Sequence, residues 1–175
     1  VFRAQFRLNN WEEELVMADP GFRAPSPTAR MDTFFDEAGT LWLTEYNAET
    51  PAAVAYNDVL SEVYYGLPVM REFSKHYEVR PLAARHLMLH ALLDSYKQWG
   101  GRDKPRIAIL DWHEVPTYSE FVLFHDYFES HGYDCVIADP RDVTYEDSRL
   151  MADGQQIHII YKRVLISELV ERGGL

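Results

Sequence analysis

This sequence predicts an α/β fold: a parallel or mixed sheet flanked by helices, plus a separate antiparallel hairpin near the start. Three observations carry that expectation. Beyond Arg106, short apolar runs rich in β-branched residues alternate with a stretch of helical periodicity, the pattern of strands covered by helices. Earlier, apolar and aromatic residues flank Asp36-Glu37-Ala38-Gly39, a polar run ending in Gly that reads as a hairpin loop. Between these two regions lie two stretches of helical character, each punctuated by Pro or Gly.

Taken in order, residues 1–29 hold Pro20, Pro25, Pro27 and Gly21, and read as a short apolar lead and a loop into the hairpin. Asn57-Asp58 opens a helix with Val59, Val63, Leu67 and Met70 on one face, which Pro68 cuts or kinks. Pro81 suits the first turn of a second helix that runs to Trp99 and ends at Gly100-Gly101. Arg102-Asp103-Lys104 is a charged connector. Ile107–Leu110 reads as a buried strand, Tyr118–Ser130 as an amphipathic helix closed by Gly132, and Cys135–Ala138 as a second strand. Arg149–Ala152 and Ile157–Tyr161 flank the turn signal Asp153-Gly154, and Ser167–Glu171 begins a last helix. The expected division is 1–55 for the lead and hairpin, 56–104 for a helical connector and 105–175 for the α/β region.

Composition narrows the function classes. At 175 residues, 47% apolar and 26% charged, the chain has the makeup of one globular domain with at most a subdomain. A formal charge of −11 argues against nucleic acid or an anionic membrane surface as partner. It suits a cationic amine substrate, and equally plain solubility. A single cysteine, Cys135, in an apolar run excludes an internal disulfide framework and fits a cytoplasmic setting; it reads as a small buried hydrophobe. There is no apolar stretch of membrane-spanning length and no basic segment leading into an apolar one, so no membrane association is expected. The chain begins at Val1, already mid-pattern, and reads as a fragment.

The hairpin concentrates the chemistry. With Asp36–Gly39 as the loop, Phe35 faces Thr40, Arg30 lies opposite Glu45, and Asp32 opposite Leu43. Side chains alternate along a strand, so Arg30, Asp32, Glu45 and Asn47 project to one side and Trp42 to the other. Asp32 and Glu45 become diagonal neighbours, roughly 7–8 Å apart at the backbone. Two carboxylates and a carboxamide are a hard-oxygen set suited to magnesium. A neighbouring Arg30 would keep the acids ionised or bind an anionic ligand. Charges on the open face of a hairpin are also ordinary, and Arg30 opposite Glu45 reads equally as a cross-strand ion pair. A paired-acid glycosidase using Asp32 and Glu45 would need aromatics on their face, which the expected position of Trp42 does not provide.

Other groupings say less. His86 and His90 have i, i+4 spacing but sit among Leu87, Leu89, Leu92 and Leu93 without a further ligand pair, so packing or a polar edge is favoured. Asp111-Trp112-His113-Glu114 follows a strand end, where open α/β sheets place ligands. Tyr161-Lys162-Arg163 offers two cations at another strand end, for an anionic group or for solvent. No glycine-rich phosphate loop and no Gly-x-Ser-x-Gly elbow is present.

The run Arg30-Met31-Asp32-Thr33-Phe34, a short turn, then Glu45-Tyr46-Asn47-Ala48-Glu49-Thr50-Pro51 resembles the magnesium-ATP segment of circularly permuted ATP-grasp ligases, the glutathionylspermidine-synthase-like group. Residues 105–112 resemble the strand opening that family's Rossmann-like, pre-ATP-grasp region. Val115-Pro116-Thr117 through Glu120-Phe121, Ile137-Ala138-Asp139-Pro140 and Tyr161-Lys162-Arg163-Val164-Leu165 also fit, so the likeness covers most of residues 28–169. Ala52-Ala53 departs from it, standing where many relatives carry Gly. The resemblance implies that Asp32, Glu45 and Asn47 ligate magnesium. It also implies that Arg30 contacts the reacting phosphate as the catalytic cation, and that Lys162 and Arg163 help bind ATP. It implies ATP-dependent ligation of a small-molecule or peptide carboxylate to an amine through an acyl phosphate, including peptide modification. The adenine-clamping lobe of such a ligase would lie downstream, so this piece is expected to be inactive alone. The alternative is a catalytically inactive relative serving as a peptide- or partner-binding module.

Overall fold

The computed structural model describes residues 3–24 and 26–173. Helices α1 (Arg3–Phe6) and α2 (Asn10–Met17) precede a hairpin of β1 (Arg30–Phe35) and β2 (Leu41–Asn47). Helices α3 (Val54–Gly66), α4 (Pro68–Phe73) and α5 (Arg85–Trp99) follow. The remainder is β3 (Ile107–Leu110), α6 (Tyr118–Ser130), β4 (Cys135–Ala138), β5 (Thr144–Glu146), β6 (Arg149–Ala152), β7 (Gln155–Ile157), β8 (Ile159–Lys162) and α7 (Ile166–Gly173). The fold is therefore mixed α/β, with parallel and antiparallel sheets.

β3 is the axis. All four of its residues are buried, as a strand covered on both faces requires, and it pairs in parallel with β4 on one side and β8 on the other. One face carries Ile107 and Ile109 against Phe121, Phe124 and Phe128 of α6 and Met88, Leu89 and Leu92 of α5. The other carries Ala108 and Leu110 against Trp112, Val136, Ile157 and Val164. Phe121, Phe124 and Phe128 recur at helical spacing, so α6 turns one continuous aromatic stripe inward.

The structure corrects several expected boundaries. The 157–161 run is not one strand: β7 closes the antiparallel meander β5-β6-β7, and the chain then turns at His158 so that β8 joins the parallel sheet. β5 was not expected. α3 begins at Val54, ahead of Asn57-Asp58, and the residues it buries are Ala55 and Asp58, while Val63 and Tyr64 are exposed. Pro68 does end that helix, sitting in the first turn of α4, where a missing N–H costs nothing. α5 starts at Arg85 rather than Pro81. Its free N–H groups at Ala84 and Arg85 are capped from a distance by the buried Asp58 carboxylate, at 2.8 and 2.9 Å. No helix among the described residues is long and apolar enough to cross a membrane.

Candidate functional site

The hairpin register differs from the expected one. Asp36 accepts from the backbone N–H groups of Ala38 (3.0 Å) and Thr40 (2.8 Å), and Thr40 O accepts from Asp36 N, which draws Thr40 into the loop. Phe35 consequently faces Leu41. A bulge then follows, with Thr44 unpaired between Leu43, opposite Thr33, and Glu45, opposite Asp32. The Thr44 hydroxyl donates to Asp32 O at 2.7 Å and fixes this extra residue. Arg30 therefore faces Asn47, not Glu45, and Asp32 faces Glu45 directly, not diagonally.

Arg30, Asp32, Glu45 and Asn47 still share one face, because the loop and the bulge each add a residue and together restore the alternation. Direct opposition brings the two acids nearer than the expected diagonal, and Glu45 adds to the hydrogen bonding that lowers Asp32. Trp42 pairs with Phe34, which places it on the Asp32 face rather than the opposite one, and its indole N–H donates to Asp36 at 2.9 Å. The ground for setting aside paired-acid glycoside hydrolysis thus falls. What opposes that chemistry instead is exposure: neither acid lies in the apolar enclosure that keeps a general acid protonated.

Arg30 holds both oxygens of Asp32, Nε to Oδ1 at 2.8 Å and Nη2 to Oδ2 at 3.2 Å, and donates from Nη1 to Ala52 O at 3.2 Å. That guanidinium is the main reason the Asp32 carboxyl lies below its ordinary range. The Nδ2 of Asn47 is enclosed without a hydrogen-bond partner. The two carboxylates and the Asn47 carboxamide oxygen are ligands of the type magnesium takes, whereas the unmet Asn47 atom is an N–H group that calls for an acceptor. Admitting a cation there requires Arg30 to release Asp32. Among the described residues no cluster of three or more His, Cys, Asp or Glu side chains is placed to hold a metal.

Lys162 and Arg163 do not join that face; they grip the segment leaving it. Lys162 Nζ donates to Glu49 at 2.9 Å and to Val164 O at 2.9 Å, and the same Glu49 oxygen accepts from Ile166 N at 2.8 Å, at the start of α7. Arg163 is buried, donates to Pro51 O, and pairs with the fully buried Glu120 at 3.5 Å, while its Nε has no partner. Glu120 in turn accepts from Ala55 N at 3.1 Å. The three cations therefore converge on residues 49–52. Ala53 beyond them adopts φ = 76°, the left-handed region that favours glycine.

At the carboxyl edge of the parallel sheet, Asp139 is fully buried and accepts from His113 N, Arg141 N and the Arg141 guanidinium, which also holds Glu114. Arg141 keeps the Asp139 carboxyl far below its usual range. Asp111, also buried, accepts only from Trp112 N, and burial pushes its carboxyl up. Its neighbour Trp112 donates to Glu168 and lies under the Arg172 guanidinium. Cys135 is buried, and its thiol is pushed up to about 12 by that burial. His86 and His90 are both exposed.

Glu49, Glu120 and Asp58 are organising residues that the sequence reading did not single out. Glu120 carried a readable signal: it lies on the inward stripe of α6 with Phe121, Phe124 and Phe128, where a lone acid must find an internal partner. No protein-family model matches the chain, and no curated protein matches it.

Proposed function

We propose that this chain is the part of an ATP-dependent carboxylate–amine ligase of the circularly permuted ATP-grasp type that supplies the magnesium ligands. The observation that carries the reading is the bulged register, which sets Asp32 against Glu45 and Arg30 against Asn47 on one face. Asp32, Glu45 and Asn47 would hold the cation, and magnesium there would neutralise charge on the transferred phosphoryl group. Arg30, released from Asp32, would turn its guanidinium to a phosphate oxygen, a planar fork matched to that geometry. Lys162, on the rim beside Glu49, is the second cation within the site's surroundings. Arg163 belongs in this reading to the tether, since its guanidinium faces Pro51 and Glu120 inside the protein.

The test is magnesium-dependent ATP turnover by the full-length protein, with the Asp32→Asn and Glu45→Gln variants alongside. Turnover that falls by about 100-fold or more in each is expected, in line with loss of a charge-stabilising group. Turnover unchanged in both variants sinks the metal assignment. A full-length protein that binds magnesium-ATP but does not turn it over selects the inactive, partner-binding relative.

A further inference from the structure

Helix α3 is amphipathic in reverse. Towards α5 and α6 it buries a small residue and an acid, Ala55 and Asp58. Its large apolar side chains lie on the open side: Leu60, Val63, Tyr64 and, at the helix end, Leu67 are 54, 57, 57 and 39% exposed. Their spacing of three and four residues makes one stripe, which a surface helix ordinarily turns to the core. Along the chain, exposed apolar residues continue with Val69, Phe73 and Tyr77, the Tyr77 ring stacked on Phe73. Half-exposed side chains of this size offer on the order of 100 Å² each, so together they present roughly 700 Å². That exceeds the largest apolar patch of a typical monomer and approaches one side of a standard protein interface.

The borders of the stripe say what fits it. On a helical projection Asn57 and Ser61 flank one side and Val59 and Gly66 the other, so neither border carries a charge. The polar groups there are already met within the chain: Asn57 Nδ2 donates to Leu82 O at 2.8 Å and the Ser61 hydroxyl to Asn57 O at 2.7 Å. The acids of α3, Asp58 and Glu62, sit on the far side and both pair with Arg85. In a chain of formal charge −11, a second copy is repelled wherever acids line the contact. Here they are turned away. The spacing is also symmetric about its midpoint, as an interface between identical surfaces requires. Two copies of α3 packed antiparallel on a two-fold axis set each Leu60 on the other copy's Leu67. Val63 then meets Val63 on one side of the axis, and Tyr64 meets Tyr64 on the other.

We infer that the open face of α3 is a homodimer interface, with two α3 helices packed antiparallel about a two-fold axis between residues 63 and 64.

The test is sedimentation velocity of the full-length protein, without nucleotide or magnesium, so that the result is read apart from the ligase assignment. A dimer that dissociates at about micromolar concentration or below is expected, the range for an interface of this size. Val63→Glu places two like charges beside the axis and should weaken association by about 100-fold or more. Tyr145→Glu, at an exposed position on β5, should leave it unchanged. Val63→Cys should form a 63–63 disulfide on mild oxidation, since side chains that meet at the axis come within bridging distance, whereas Tyr145→Cys should not. The native Cys135 is buried and does not compete. A monomer up to about 100 µM, a dimer of unchanged affinity in Val63→Glu, or a dimer without the 63–63 disulfide overturns the proposal.

Discussion

Asp111 shows how a single buried side chain sets a pH dependence. It is 7% exposed, has one backbone donor, and burial raises its carboxyl above the ordinary value near pH 4. A carboxyl whose folded value is raised costs stability once it ionises, so the cost appears as pH climbs through the carboxylate range and persists at neutrality. Asp58 and Asp139 are lowered instead, and their contribution is present above pH 4 and lost as pH falls. Asp111→Asn should therefore unfold at higher urea than the wild type at pH 7, with the gap closing toward pH 3; a gap constant with pH would refute the assignment. Ala53 supplies a second case. A left-handed alanine is strained where glycine is not, and Ala53→Gly should stabilise the chain by roughly 0.5–1 kcal/mol after the entropy of the unfolded glycine is counted. A lower melting temperature in that variant would contradict it. Ala52-Ala53 stood out in the sequence as an odd pair after Pro51. Which of the two takes the left-handed turn was not legible, because that depends on Arg30 and Arg163 fixing the carbonyls before it.

Among elements, the regular ones were the legible ones. β3, α6 and β4 have the boundaries their apolar patterns predict, since each is defined by local periodicity and closed by Gly132 or by charged residues. Elements fixed by distant partners were misread. α5 begins where Asp58 caps it, and the 157–161 run divides because one half finishes the meander and the other pairs with β3. In the hairpin the shared face of the four polar residues was legible from alternation, but the pairing was not. A side-chain cap by Asp36 and a bulge at Thr44 leave no periodic trace. The Glu120–Arg163 pair joins α6, β8 and the segment entering α3. Removing one partner strands the other, so Glu120→Ala should cost about 3–5 kcal/mol in urea unfolding, whereas Glu120→Leu combined with Arg163→Met should recover much of it. A single mutant within 1 kcal/mol of wild type would show that the pair is not what joins these elements.

At the scale of the molecule, stability is unevenly distributed. β3 is buried and paired on both edges, while β1 and β2 pair only with each other and expose Met31, Phe35, Leu41 and Leu43. Hydrogen–deuterium exchange of the full-length protein should show the amides of Ile107–Leu110 outlasting those of Arg30–Asn47. Equal protection would mean that the hairpin is held by more than its own ladder and the 49–52 attachment. The composition placed the chain among globular proteins, and the alternation of its apolar runs among α/β folds. It could not foresee that residues 49–52, which leave the hairpin, would be held by Arg30, Lys162 and Arg163. The bulge at Thr44 lies between that attachment and the hairpin loop. A chain shortened by this one residue would close the same cross-strand pairs, with Asp32 still against Glu45 and Arg30 still against Asn47. The Thr44 bond to Asp32 O would go and the local twist would fall, and with it the direction in which the polar face is aimed. Loss of a residue at this point would thus keep Arg30, Asp32, Glu45 and Asn47 on one face while turning that face, a way for chain length to tune orientation without replacing any of the four.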